Sequence, residues 1–290
     1  MRRTRQSNKL EFTSLDRIVF PATGYTKGDV LDYYNQVSDF LLPHLRARPI
    51  TIERFPEGVK EGAQHFWQKN TPAYYPAWVP RAKLPTEKGK TIEYTLVNDL
   101  PTLLYLANQN AVTFHIWFSR MQSLDRPDFV LFDIDPHQST FANAIKVARK
   151  LHDLLDDEEG VANYLKTSGK TGLHVMTPWR ARDGGFDEAR SWAEGVARRV
   201  AAALPDIATV ERTISRRGNR VYVDAMQNAK GKHAVPPYTL RATPQGTVSM
   251  PLEWKELTAK LSPKQFDMKT SIKRIARRKK DPLAALTGIR

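Results

Sequence analysis

The stretch DFVLFDIDP (128–136) constrains this chain more than any other. Alternation along a strand sends Val130, Phe132 and Ile134 to one face and Leu131, Asp133 and Asp135 to the other, so two carboxylates project side by side, about 7 Å apart. Carboxylates at that spacing in an apolar strand repel each other and lose hydration, and a cation or a shared proton offsets the cost. Pro136 ends the strand directly after them. Asp224, in VYVDAM, stands in a similar apolar setting and joins the pair if the two strands are neighbours. Three carboxylates, with no His-rich cluster nearby, point to hard, oxygen-preferring ions such as magnesium or manganese. Two such ions activate a hydroxyl and stabilise the leaving oxygen of an in-line phosphoryl displacement. Taken alone, the Asp-x-Asp pair reads equally well as a strand-end turn or as the partner of nearby arginines.

The flanking pattern is mixed α/β, an α+β class with a strand-rich half from about residue 98 onward. Helices are expected over 28–45, over 98–110 with Asp99 as cap and Pro101 in the first turn, over about 140–156 and over about 186–203. Strands are expected at 49–55 (PITIERF), 162–169 (ANYLKTSG), 171–178 (TGLHVMTP), 210–215 (VERTIS) and 219–228 (NRVYVDAMQN). Residues 56–95 read as loops and short strands with exposed aromatics. Ser262-Pro263 opens a weakly amphipathic basic helix. Nothing in composition divides the 290 residues into two. The absence of cysteine removes disulfides, thiolate metal sites and cysteine nucleophiles. With no apolar run of membrane-spanning length and no apolar stretch behind the first arginines, a cytoplasmic protein without a membrane partner is the expectation.

The net charge of +14 sits mainly at the two ends. Residues 264–280 hold eight lysines and arginines against Asp267, and Arg2, Arg3, Arg5 and Lys9 begin the chain. A run this dense meets phosphate, whose neutralisation releases counterions, or else is a solvated face. SGKTGLH (168–174) is not a P-loop: position 164 is Tyr where a Gly is needed, and a strand follows in place of a helix. Its glycine-bounded turn can still direct backbone N–H groups, Ser168, Lys170 and His174 toward an anion. SRRGNR (215–220) reads as a basic, hairpin-like turn just before Asp224, and Arg241 follows PYTL; guanidinium forks suit phosphate.

Together DIDP, TSGKTGLH and RVYVDAMQNAKGKHAVPPYTLRATPQGTVSMPLEWKEL resemble the polymerase domain of bacterial ligase D, within the archaeo-eukaryotic primase superfamily. The likeness extends to LDRIVFPATGYTKGDVLDYY (15–34) and PITIERFPEGV (49–59). It implies a primase-polymerase fold, a central and largely antiparallel catalytic sheet flanked by helices. Asp133, Asp135 and Asp224 match the family's metal-binding triad. Ser168, His174, Arg217, Arg241 and His115 match positions that grip the nucleoside triphosphate, with Lys170 in a turn whose lysine position varies. Arg17 and Lys27 match two basic residues that hold a downstream 5′-phosphate, the first being Arg where Lys is usual. Phe66 and Trp67 match an aromatic pair near the template bend, and Arg54 a further family position, with Glu53 replacing a basic neighbour. RAKLPTEKGK (81–90) resembles a mobile loop that brings DNA ends together.

The resemblance implies one primase-polymerase domain over 1–290: a DNA-contacting part (1–97), a catalytic part (98–257) and a basic tail (258–290). It also implies nucleotide addition in non-homologous end joining, with ribonucleotides preferred, two Mn2+ or Mg2+ ions, DNA with 5′-phosphorylated gaps or ends, a nucleoid-associated location, and Ku and a DNA ligase as partners. Two other readings fit parts of the pattern: a non-catalytic DNA-end-binding module, and an Asp-x-Asp glycosyltransferase using manganese and a nucleotide sugar.

Overall fold

The computed structural model describes residues 10–86, 89–179 and 184–288. Arg2, Arg3, Arg5 and Lys9 of the basic N-terminus, and Glu87 and Lys88 of the 81–90 stretch, lie outside the described residues.

Two sheets carry the fold. The first runs in the order Ala208–Thr209, Val221–Asp224, Phe129–Asp135, Leu173–Pro178, Tyr164–Thr167, Pro251–Leu252; only its first pair is parallel. The second runs His233–Ala234, Ala111–Trp117, Pro49–Arg54, Thr91–Leu96, Arg81–Pro85, antiparallel throughout, with Phe66–Gln68 also paired to Pro49–Arg54. Helices Phe141–Asp153 and Phe186–Ala203 pack on the first sheet and on each other. Val130, Phe132 and Ile134 are fully buried in the main core. That burial forces the opposite face of their strand, with Asp133 and Asp135, toward solvent, as the period of two requires.

Beside the second sheet, helices Lys27–Gln36 and Leu100–Asn108 pack together. Asp99 caps the latter by accepting from the Thr102 amide at 2.9 Å, and Pro101 sits in the first turn, as the sequence indicates.

Three expectations are corrected. The helix over 28–45 is two, Lys27–Gln36 and Ser38–Leu45, because the Ser38 hydroxyl donates to the Asn35 carbonyl and competes with the helical ladder. VERTIS is not a strand. Only Ala208–Thr209 pairs at this edge, after which Thr209 Oγ1 and the Glu211 carboxylate accept the Glu211 and Thr213 amides and the chain turns into the short helix Ile214–Arg217. SRRGNR is therefore a helix end followed by Gly218 at φ +57°, not a hairpin. Among the loops and short strands expected over 56–95, Arg81–Pro85 is a strand, because Leu84 buries against Tyr94 and Trp117.

The stretch 258–288 is folded onto the body. Leu283 and Leu286 are buried, and the Asp281 carboxylate accepts from the Tyr238 hydroxyl and meets His44 Nε2, both at 2.6 Å. Arg274 and Arg278 share the Glu256 carboxylate at 2.6 and 3.1 Å, so two of the eight cations are tied into the fold and one of their charges is offset there.

Candidate active site

Register decides whether the three aspartates meet. Asp224 stands directly across from Asp133 on the neighbouring antiparallel strand, and Tyr222 across from Asp135. Direct partners share a face, and so do residues two apart, so all three carboxylates belong to one face of the sheet. Burial, and then the charge on Asp133, pushes the Asp224 carboxyl above its ordinary value. Burial also opposes ionisation of Asp133, yet His174, Lys166 and Arg241 together hold it below the usual carboxylate range. Asp135 meets Arg217 Nη1 at 3.8 Å, and that guanidinium lies 3.8 Å over the Tyr222 ring while donating to the carbonyls of Glu211 and Arg212.

Among the described residues no three such groups close into a formed metal cage. The donor set nevertheless suits a hard divalent cation: three carboxylates, two of them facing each other across adjacent strands, and a carboxyl whose ionisation is opposed by burial and by its neighbour's charge.

The Ser168–Gly172 turn is built differently from a phosphate-cradling nest. Ser168 Oγ accepts the Lys170 and Gly172 amides at 3.2 and 3.0 Å, which occupies those N–H groups and leaves the Ser168 hydroxyl proton to point elsewhere. Gly169, at φ +74°, lets Arg241 pass, since a β-carbon there would lie 2.5 Å from its Cγ. Arg241 then donates from Nη1 to the Ser168 carbonyl at 3.2 Å, and its buried Nε has no partner.

His174 is held from both sides. Its Nε2 lies 3.4 Å from Asp133 Oδ1, and its Nδ1 lies 2.8 Å from Lys166 Nζ. Burial and the Lys166 charge push the imidazole down to about 4, so the ring is neutral near pH 7. Burial, followed by Arg241, drives the Lys166 ammonium well below its ordinary value.

A cavity of about 420 Å³ collects these groups: Asp133, Asp135, Ser168, Lys170, His174 and Arg241 line one part, and Trp67, His115 and His233 the other. Trp67, half exposed, lies with its ring 4.7 Å from that of His115 and 5.9 Å from that of His233. His115 Nε2 and His233 Nδ1 are buried without hydrogen-bond partners. Burial lowers both imidazoles, His233 to about 4 and His115 well below its ordinary value. Unpaired polar atoms around one cavity are the signature of a ligand that completes them.

The aromatic pair separates. Phe66 and Trp67 face Arg54 and Glu53 across the strand pair and therefore opposite faces of the sheet; Trp67 joins the cavity and Phe66 does not. Arg54 is tied to the Gln109 carbonyl at 2.7 Å and to Gln68 Oε1 at 2.8 Å. Arg17 donates to the Pro56 carbonyl and to Asn110 Oδ1, and Lys27 Nζ donates to the Thr13 carbonyl at 2.7 Å. Arg54 and Arg17 thus bond to residues 109 and 110, Lys27 lies close enough to Arg17 for their charges to interact, and none of the three lines the cavity. Burial and Arg17 lower the Lys27 ammonium, so two like charges are held close at a partly enclosed position.

A model of the LigD primase-polymerase domain matches residues 26–283. The chain belongs to this family. It is 37% identical over 268 residues to the bifunctional non-homologous end joining protein LigD of Bacillus subtilis, covering 92% of this chain and 42% of that protein. To the multifunctional non-homologous end joining protein LigD of Mycolicibacterium smegmatis it is 32% identical, covering 86% and 32%. The chain thus spans less than half the length of these relatives. Its structure matches the polymerase domain of Mycobacterium tuberculosis ligase D, solved in complex with DNA, at a TM-score of 0.88 and 32% identity, over 96% of this chain and 98% of that one. The mixed fold with predominantly antiparallel sheets is the fold of the LigD polymerase domain.

Three residues that line the cavity or support its walls escape the sequence reading, and of them only His233 lines it. Lys166 is one charge inside an apparent strand, and its partner His174 follows only from register. His233 is one of seven histidines, and nothing local marks it. Asn228, almost fully buried, accepts the Leu131 amide and donates to the Leu131 carbonyl, both at 2.8 Å, completing the Asp133 strand where Val221–Asp224 has ended.

Proposed function

We propose that this domain adds nucleotides to the 3′-hydroxyl of a primer at gapped or broken DNA ends, preferring ribonucleotides, as part of end joining with Ku and a ligase. The observation that carries the reading is the register of Asp133 against Asp224, with Asp135 on the same face, beside a cavity that also holds Ser168, His174 and Arg241. Manganese or magnesium ions held by the three aspartates would supply positive charge that favours the ionised hydroxyl and the leaving phosphate oxygen.

The chain's own groups divide the remaining work. Arg241, Lys170 and the Ser168 hydroxyl neutralise and hold the triphosphate, with unsatisfied Arg241 Nε available to it. Arg217 is pinned by two carbonyls and the Tyr222 ring, and restrains Asp135. Trp67, His115 and His233 form the wall for the nucleoside or an unpaired base, where ring stacking is tolerant of base identity. The primer oxygen bonds to the α-phosphorus as the bond to the β-phosphate bridge breaks, and pyrophosphate departs. Partially enclosed Arg17 and Lys27 hold a downstream 5′-phosphate, which relieves the repulsion between them. The relation to a ligase D domain solved with DNA supports the choice of substrate.

A primer-extension assay on gapped, 5′-phosphorylated DNA tests this with NTPs and dNTPs and each metal in turn. Incorporation that needs a divalent ion and is lost in Asp133→Ala supports it; undiminished incorporation in that variant refutes it. DNA binding without incorporation under any of these conditions favours the non-catalytic end-binding reading.

A further inference from the structure

We infer that Lys166 is a positioning residue that holds His174 in the Nε2–H tautomer and thereby aims a neutral hydrogen-bond donor at the centre where Asp133 and the triphosphate meet. The second half of this inference rests on the nucleotidyl-transfer reading; the first stands without it.

Lys166 is completely enclosed, in the middle of strand Tyr164–Thr167, and stands directly across from His174 on one side and Pro251 on the other. An enclosed ammonium is a costly way to fill space, and an apolar side chain of similar volume serves packing better. Its Nζ has two contacts: Ser249 Oγ at 2.7 Å and His174 Nδ1 at 2.8 Å.

The polarity of this chain of contacts is fixed at both ends. The Thr167 carbonyl only accepts, so Ser249 Oγ spends its one proton on it at 2.8 Å and must accept from Lys166. At the other end the Asp133 carboxylate only accepts, so the His174 nitrogen facing it, Nε2, must carry the proton. Nδ1 is then a lone pair, and Lys166 is the donor that satisfies it. Protons thus point from Ser249 to Thr167, from Lys166 to Ser249 and to His174, and from His174 toward Asp133. The opposite tautomer would set a lone pair against a carboxylate and leave Nδ1–H facing an ammonium. Triphosphate oxygens also only accept, so the tautomer enforced by Lys166 is the one that can bond them.

The tautomer of His174 is read directly from its ring nitrogen and carbon shifts by NMR in the full, nucleotide-free chain, with the resonances assigned by their loss in His174→Gln. The expected result is a single Nε2–H form. A predominant Nδ1–H form in the unmutated protein overturns the inference without any question of folding. Lys166→Met keeps length and removes the donor; the expected outcome is a mixture of tautomers and a KM for nucleotide raised about tenfold, the loss of one hydrogen bond, with the KM for DNA unmoved. A folded Lys166→Met protein with unchanged His174 shifts overturns the positioning role. Changed shifts with an unchanged nucleotide KM overturn its link to the triphosphate. Lys166→Gln, which restores a donor, is expected to recover part of the Nε2–H population; no recovery in folded protein counts against the donor role. If the tautomer behaves as stated while the unmutated chain incorporates no nucleotide, the nucleotidyl-transfer reading fails and the role of Lys166 in fixing the ring survives.

Discussion

The cavity at the ends of the catalytic strands and the basic corner around residues 109–110 are both polar, but they satisfy their polar groups in opposite ways. In the cavity His115 Nε2, His233 Nδ1 and Arg241 Nε are buried without partners, and two carboxylates face each other across adjacent strands. In the corner the donors of Arg17, Lys27 and Arg54 are engaged by the chain's own carbonyls and amides. The cavity is incomplete until something binds; the corner is complete and carries surplus charge. The proposed reading accordingly assigns chemistry and triphosphate binding to the first, where each missing bond has a high cost, and a graded attraction for DNA phosphate to the second.

The sharpest break of this contrast is Asp224→Asn, which is isosteric and removes one of the facing charges. Turnover is expected to fall on the order of a thousandfold or more while affinity for gapped DNA is retained, checked by single-turnover extension and a DNA titration. Asn228→Ala sharpens it from the side of stability. The Leu131 amide and carbonyl lose their partner two residues from Asp133, and unfolding by urea should show a loss of about 3 kcal/mol. Arg241→Met removes the charge and the unsatisfied Nε, and the KM for nucleotide is expected to rise by about 2 kcal/mol, roughly thirtyfold, with little change for DNA. Trp67→Ala should cost on the order of 1 kcal/mol at the nucleoside or unpaired-base position, whereas Phe66→Ala leaves nucleotide affinity unmoved, because only Trp67 reaches the cavity. The smallest effect belongs to the corner. Arg17→Ala with Lys27→Ala should reduce affinity for gapped DNA only when the 5′-phosphate is present, and flatten the salt dependence by about one to two units of slope.

Local patterns with a fixed period were legible in advance. The alternation in DFVLFDIDP placed Asp133 and Asp135 on the solvent-facing side, and Asp99 with Pro101 marked a helix start that the structure reproduces. Convergence was less legible, because it depends on which strands pair and in what register. Asp224 meets Asp133 only through that register, and Lys166 acquires its meaning only opposite His174. The expected strand VERTIS failed for a local reason: Thr209 and Glu211 divert the backbone donors that a ladder would need. Phe66 and Trp67 are adjacent in sequence, but adjacency in a strand means opposite faces, so only Trp67 lines the cavity.

The division of labour between cavity and corner is tested most directly by one steady-state extension experiment on 5′-phosphorylated gapped DNA, comparing the unmutated chain, Asp224→Asn, and the Arg17→Ala, Lys27→Ala pair. The expected result is a collapse of kcat with an unchanged KM for DNA in the first variant, and a raised KM for DNA with a nearly unchanged kcat in the second. If the aspartate variant turns over normally, or if the two variants lose kcat and DNA affinity in the same proportion, the assignment of chemistry to the cavity and of DNA-end recognition to the corner is wrong.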